Sequence, residues 1–227
     1  MKQTPPASKA TSMSLKNSII FSFLILVLLA WTPSLQAAVI FFDDFDSDNG
    51  GSFDKNYIRF QNWNVRAGYV DLIGIGSEWD WFVGSNYLYV DMDGSGLAAG
   101  GLSTRTPISL PGLGEYNLFF DLAGSQRWFT ESITYRVVDH NTRAVYATRT
   151  ITLDPYAPFQ RYYIPFTVTG STQIDIIFFE PPGSPNHIGL LIDNVGVMNT
   201  PLPPGILLFG TGLLGLGVLG WRRQKRR

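Results

Sequence analysis

Between Val39 and Val197, apolar residues recur at every second position in short runs, and Gly, Asp, Asn and Pro separate those runs. A period of two sends alternate side chains to opposite faces of an extended chain, so each run suits a strand with one face on a core. In EYNLFFDL, Tyr116, Leu118, Phe120 and Leu122 share one face, with Asn117 and Asp121 on the other. Ile133, Tyr135 and Val137 alternate with Thr134 and Arg136, and two later runs alternate likewise (Tyr162, Ile164, Phe166, Val168; Ile174, Ile176, Phe178). Shorter candidates cover 39–42, 68–73, 87–92 and 102–106, and a last strand covers 188–197. The segment HNTR between 132–139 and 144–152 reads as a hairpin turn. No stretch here carries a helical period. Many short strands at this spacing predict an all-β, antiparallel β-sandwich of jelly-roll type.

The two ends follow a different pattern. Lys9 and Lys16 precede an apolar run from Ile19 to Trp31 and then Thr-Pro-Ser-Leu-Gln-Ala-Ala, which reads as a signal helix in a cleaved secretory signal over 1–38. Met13 is an alternative start, and an uncleaved anchor is the alternative reading of the run. The sandwich is then expected over 39–198, followed by a linker over 199–204 that contains Pro201, Leu202, Pro203 and Pro204. An uncharged apolar run over 205–221 is just long enough for a single transmembrane helix. Arg222, Arg223 and the remaining cations of 222–227 are expected to stay in the cytoplasm, which puts the sandwich on the far side of the membrane.

Charge and composition narrow the function. All 18 acidic residues lie between Asp43 and Asp193, against 9 of the 17 Lys and Arg, so this segment carries a net charge of about −9. Nucleic acid is excluded as a partner, because binding it requires a basic patch to replace counterions. The absence of cysteine removes thiolate metal sites, cysteine nucleophiles and disulfides. His140 and His187 are the only histidines, and the chain has no G-x-S-x-G elbow, P-loop or HExxH motif. A non-enzymatic protein is expected, and a glycan hydrolase built on carboxylates such as Glu78 and Asp80 is the less favoured reading.

Two groups of residues could form sites. EWDWF places Glu78 and Asp80 beside Trp79 and Trp81, with Tyr87 following. Flat aromatics stack on the C–H faces of sugars while carboxylates take the hydroxyls, so these five are the candidate carbohydrate-binding residues; core packing of the same rings is the alternative. In IGLLIDNVGV, period two sets Asp193 on one face with Leu191, Val195 and Val197. A carboxylate on an apolar face is costly unless it is coordinated or hydrogen-bonded. First and last strands lying side by side would bring it near the FDSDNGG loop. Asp46, Asp48 and Asp193 are therefore candidate ligands of a structural calcium. Acceptance of backbone N–H bonds at a bulge is the simpler alternative for Asp193. No other cofactor is expected.

The tail PLPPGILLFGTGLLGLGVLGWRR resembles the PEP-CTERM sorting signal, with Pro201-Leu202-Pro203 in place of Pro-Glu-Pro. That resemblance implies export through the Sec translocon, cleavage by a signal peptidase, and processing by an exosortase-type enzyme near Pro201, Leu202, Pro203 and Pro204. It also implies association with exopolysaccharide or biofilm at the cell surface or in the extracellular matrix. The pieces YVDMDG, FDLAGSQR and LLIDNV are similar to carbohydrate-binding-module-like, galactose-binding-like ectodomains of such proteins. They imply weak polysaccharide binding; a purely structural surface or adhesion protein without a ligand site is the alternative.

Overall fold

The computed structural model describes residues 37–82, 87–96, 98–181 and 187–200. Nearly all of the expected signal segment lies outside the described residues. So do the Pro201–Pro204 motif, the apolar run and the terminal arginines. Among the described residues there are twelve strands: β1 (Val39–Asp43), β2 (Trp63–Val65), β3 (Asp71–Gly74), β4 (Leu88–Asp91), β5 (Gly101–Thr104), β6 (Ile108–Ser109), β7 (Gly114–Ala123), β8 (Glu131–Asp139), β9 (Val145–Leu153), β10 (Gln160–Val168), β11 (Gln173–Phe179) and β12 (Leu191–Asn199). One 3-10 turn, Asp48–Gly50, is the only helical element among them.

The strands form two antiparallel sheets packed as a sandwich. The first runs β10-β7-β12-β4-β3, with β1 beside β12; the second runs β2-β5-β11-β8-β9, with β6 beside β11. The expected hairpin is present, with β8 and β9 paired from Glu131↔Leu153 to Val138↔Val145. The first and last strands do lie side by side, Phe42 opposite Gly196 and Asp43 opposite Val195.

The inward residues are those that alternation assigns. Leu118, Phe120 and Leu122 of β7 and Ile174, Ile176 and Phe178 of β11 are fully buried in one core. Phe120 meets Phe178 edge-on across the two sheets at 5.2 Å, and Trp63 sits 6.0 Å from Phe178. Each such ring contributes about 1.5–3 kcal/mol by leaving water. The Trp63 indole N–H donates to Asp43 at 2.8 Å, so its polar end is satisfied inside the core.

β12 departs from the expected alternation. Its register against β7 shifts between Asp193 and Gly196, where Asn194 takes a left-handed φ of 51°. The extra residue of this bulge reverses the phase. Ile192, Val195 and Val197 all face the core, while Leu191, Asp193 and Gly196 face outward. Asp193 therefore does not share the face of Val195 and Val197, contrary to a straight count of two. Gly196 has a steric role on that outer face. A Cβ there would lie 2.2 Å from the Phe119 ring and 2.8 Å from the Phe41 carbonyl. Replacement of Gly196 by Ala is expected to cost about 1–3 kcal/mol and to lower Tm by about 2–10 °C. Thermal unfolding followed by circular dichroism checks this; an unchanged Tm contradicts the packing described.

Candidate functional site

Leu72 of β3 and Val90 of β4 point into the core, so alternation turns Asp71, Ile73, Tyr89 and Asp91 to the outer face of the first sheet. Asp71 and Asp91 stand directly opposite each other in the β3–β4 ladder. Two like charges there are unfavourable unless each is separately compensated. Asp71 accepts N–H bonds from Asn56 (2.7 Å) and Ser95 (3.1 Å) and the Ser95 hydroxyl (2.6 Å). Asp91 accepts from the N–H groups of Asp93 (3.1 Å) and Gly189 (3.0 Å) and forms an ion pair with Arg127 from the loop after β7. A second nitrogen of Arg127 holds the His187 carbonyl at 2.5 Å.

The loop after β3 closes over this pair. The Ser77 hydroxyl accepts the Trp79 N–H (3.2 Å), and the Tyr89 hydroxyl accepts the Trp81 N–H (2.9 Å). Tyr89 is fully buried in a small outer cluster with Ile73, Ala123 and Leu191, against which Trp79, Trp81, Phe82 and Phe159 pack. The loop is thus pinned to the sheet through one tyrosine hydroxyl. The result is a cleft of about 280 Å³ lined by Trp79 and Trp81, with Asp71, Asp91, Ser95 and Arg127 among its polar walls and Lys55 and His187 also lining it. Its size is near the lower end for small-molecule sites. The Lys55 ammonium lies 3.3 Å above the Trp79 ring, and the Arg127 guanidinium lies 5.5 Å from the Trp81 ring. Unlike that of Trp63, the indole N–H of Trp81 is buried with no hydrogen-bond partner among the described residues.

Two of the five residues expected to bind carbohydrate, Trp79 and Trp81, therefore line one cleft. The other three do not line it. Glu78 is exposed. The Asp80 carboxylate turns toward the Tyr89 hydroxyl (3.3 Å) and the Phe82 N–H (3.3 Å), capping the loop. Tyr87 packs its ring 6.4 Å from Tyr89. Sequence reasoning missed Lys55, Asp71, Asp91, Ser95, Arg127 and His187, although YVDMDG and FDLAGSQR contain two of them.

The three acidic residues expected to bind calcium are divided. Asp46 accepts the Leu88 N–H at 2.7 Å and is close enough to Asp193 to raise its pKa. Asp48 lies in a turn with left-handed φ at Asn49, Gly50 and Gly51, and its buried carboxylate accepts the Gln61 N–H at 2.7 Å. Asp193 accepts the Asn194 N–H at 2.6 Å, at the bulge. Among the described residues no group of three or more His, Cys, Asp or Glu is arranged to hold a metal ion.

No protein-family model matches the chain, and no curated protein matches it. Among solved structures it is similar to the CBM22-2 xylan-binding domain of Paenibacillus barcinonensis Xyn10C, with TM-score 0.44, 13% identity, and coverage of 71% of this chain and 99% of that one. It is similar to the K1 cleaved adhesin domain of Lys-gingipain from Porphyromonas gingivalis W83, with TM-score 0.46, 12% identity, and coverage of 70% and 98%. It is also similar to CBM6cm-2 of Cellvibrio mixtus lichenase 5A, solved with cellotriose, with TM-score 0.40, 11% identity, and coverage of 72% and 99%. Likenesses of this size assign neither a family nor a ligand to the chain.

Burial governs the electrostatics around the cleft. Glu180 is pushed up to about 9, by burial first and then by Asp93 and Asp91. Asp193 is pushed up to about 8, chiefly by burial, with the Asn194 N–H opposing and Asp46 adding to the rise. Asp91 is pushed up to about 7 by burial against the pull of Arg127. In the unfolded chain these carboxyls titrate at about 4. Between about pH 4.5 and 8 the folded chain retains protons that the unfolded chain has released, so stability falls as pH rises through that window. Tm is expected to be higher at about pH 5 than at about pH 8.5, and E180Q is expected to flatten the slope because its amide oxygen still accepts the Leu190 N–H. Scanning calorimetry across the range checks this; a Tm that rises with pH contradicts it.

Proposed function

We propose that this chain is an exported, non-enzymatic surface protein that binds a saccharide in the Trp79–Trp81 cleft. The observation that carries the reading is the convergence of two indoles with carboxylates already held in place. A sugar presents C–H faces that pack on flat rings and hydroxyls that bond to fixed acceptors and donors. Asp71 and Asp91 are held by backbone N–H groups, and Arg127 is fixed by two partners, so ordering these groups costs little at binding. The buried Trp81 indole N–H lacks an acceptor among the described residues, and a ligand hydroxyl that displaces the loop slightly would supply one. Lys55 covers one face of Trp79, and its exposed, flexible stem is displaced when a ring stacks there. Competition with Lys55 and the small cleft both fit weak binding.

The sequence of the tail supports placement outside the cell. A Pro-Leu-Pro motif, an apolar run and a cationic end fit sorting by an exosortase-type enzyme, with association with exopolysaccharide as the destination. The second reading, a structural matrix or adhesion protein, has no use for the cleft.

Two measurements test this. On a glycan array followed by calorimetry, the wild type is expected to bind at least one saccharide, and Trp81→Ala to weaken that binding by about tenfold or more with the fold intact. Absence of binding to any saccharide favours the structural reading. Mass spectrometry of the exported protein is expected to find the C-terminus upstream of Gly205; an intact Arg227 overturns the processing step.

A further inference from the structure

The outer face of the second sheet differs in charge from that of the first. Trp63 and Leu102 are buried in the core, so Asn64 of β2 and its ladder partner Ser103 of β5 face outward. Arg66 reaches back along β5, and its Nε donates to the Ser103 hydroxyl at 3.0 Å. Arg105 uses one nitrogen, Nη2, to hold the carbonyls of Phe60 (2.7 Å) and Trp63 (3.1 Å). Both arginines line a second cavity of about 420 Å³, with Ile58, Asn64, Val65 and Gly68. Every charge lining it is positive, in a segment whose net charge is about −9. Neither arginine forms an ion pair among the described residues. Asp48 feels the charge of Arg105 but accepts the Gln61 N–H. The register continues from Ser103 through Ile177 to Arg136, whose guanidinium lies over the Phe179 ring at 5.0 Å. A third cation thus stands two strand spacings, about 10 Å, further along the same face.

We infer that this groove binds the oxyanion group, carboxylate or sulfate, of an acidic polysaccharide. A planar guanidinium is suited to such a group, and both arginines are oriented by bonds that leave their other N–H donors without a partner among the described residues. Ile58, which is exposed, supplies an apolar lip for the sugar ring that bears the charge. The polysaccharide as bearer of the charge rests on the function proposed above; the anion site does not.

The full-length chain is run by affinity electrophoresis in gels containing polygalacturonate, dextran sulfate or neutral xylan. Retardation is expected with polygalacturonate if the groove reads carboxylate and with dextran sulfate if it reads sulfate. It is expected to be lost in about 1 M NaCl, where the Debye length is about 3 Å. R66Q is expected to weaken retardation by about fivefold or more, and R105Q likewise where it still folds. R149Q, which removes an exposed cation from β9, is expected to leave retardation unchanged. No retardation by either charged polymer, or equal loss in R66Q and R149Q, overturns the proposal. A chain that binds neutral xylan through Trp81 and neither charged polymer overturns this inference alone. Retardation by a charged polymer without xylan binding supports it, and the cleft reading fails only if the glycan array shows no saccharide bound.

Discussion

The outer surface of the first sheet depends on the bulge in β12. This strand is bonded on one side to β7 and on the other to β4 above the bulge and β1 below it. One extra residue at Asn194 reverses the inward phase, and so Ile192 and Val195 both reach the core. Without that reversal, half of the strand would expose its valines. The same reversal leaves Asp193 facing out beside Asp121, which forms a bidentate pair with Arg161 at 2.7 and 2.8 Å. It also sets Gly196 in a row with Phe42, Phe119 and Tyr163, where the glycine gives the Phe119 ring its space.

The cleft is an outcome of the same ladder. Leu191 pairs with Asp91 and Ala123, and Asp91 pairs with Asp71, so one row crosses four strands on the outer face. Its carboxylates are tolerated because loops deliver N–H groups and one guanidinium to them. These bonds order the loops from β4, from β7 and before β12. The arrangement that stabilises a costly pair of acids therefore also builds the polar walls of the cleft. The opposite sheet shows the reverse pattern, with Arg66 just after β2, Arg105 just after β5 and Arg136 on β8, and with Asp175 already held by Arg143 and His140. The sandwich thus presents two chemically distinct faces.

Much of the fold was legible in the sequence, and the reason is physical. Strands of seven to ten residues, such as β7, β8, β10 and β11, repeat the alternation often enough to read. The three residues of β2 and the two of β6 do not. Period two failed at Asp193 because a bulge leaves no mark in hydropathy, although LLIDNV contains an Asn suited to positive φ. Of the cleft, only the neighbouring pair Trp79 and Trp81 was visible. Asp71, Asp91, Arg127 and His187 come from separate strands and loops, and only the register of β3, β4 and β12 joins them. The three acids expected to bind calcium are divided for a related reason. Asp46 and Asp48 are two apart in sequence, but the left-handed turn after them directs their carboxylates to different N–H groups.

The central claim is that a saccharide occupies the Trp79–Trp81 cleft and gives the Trp81 indole its missing acceptor. Nuclear magnetic resonance of the six tryptophan indole N–H groups during titration with a binding oligosaccharide tests it most directly. The account predicts a large, saturable shift of the Trp81 signal, a smaller one at Trp79, and none at Trp63, which stays bonded to Asp43. Saturable binding that leaves the Trp81 signal unmoved would contradict it.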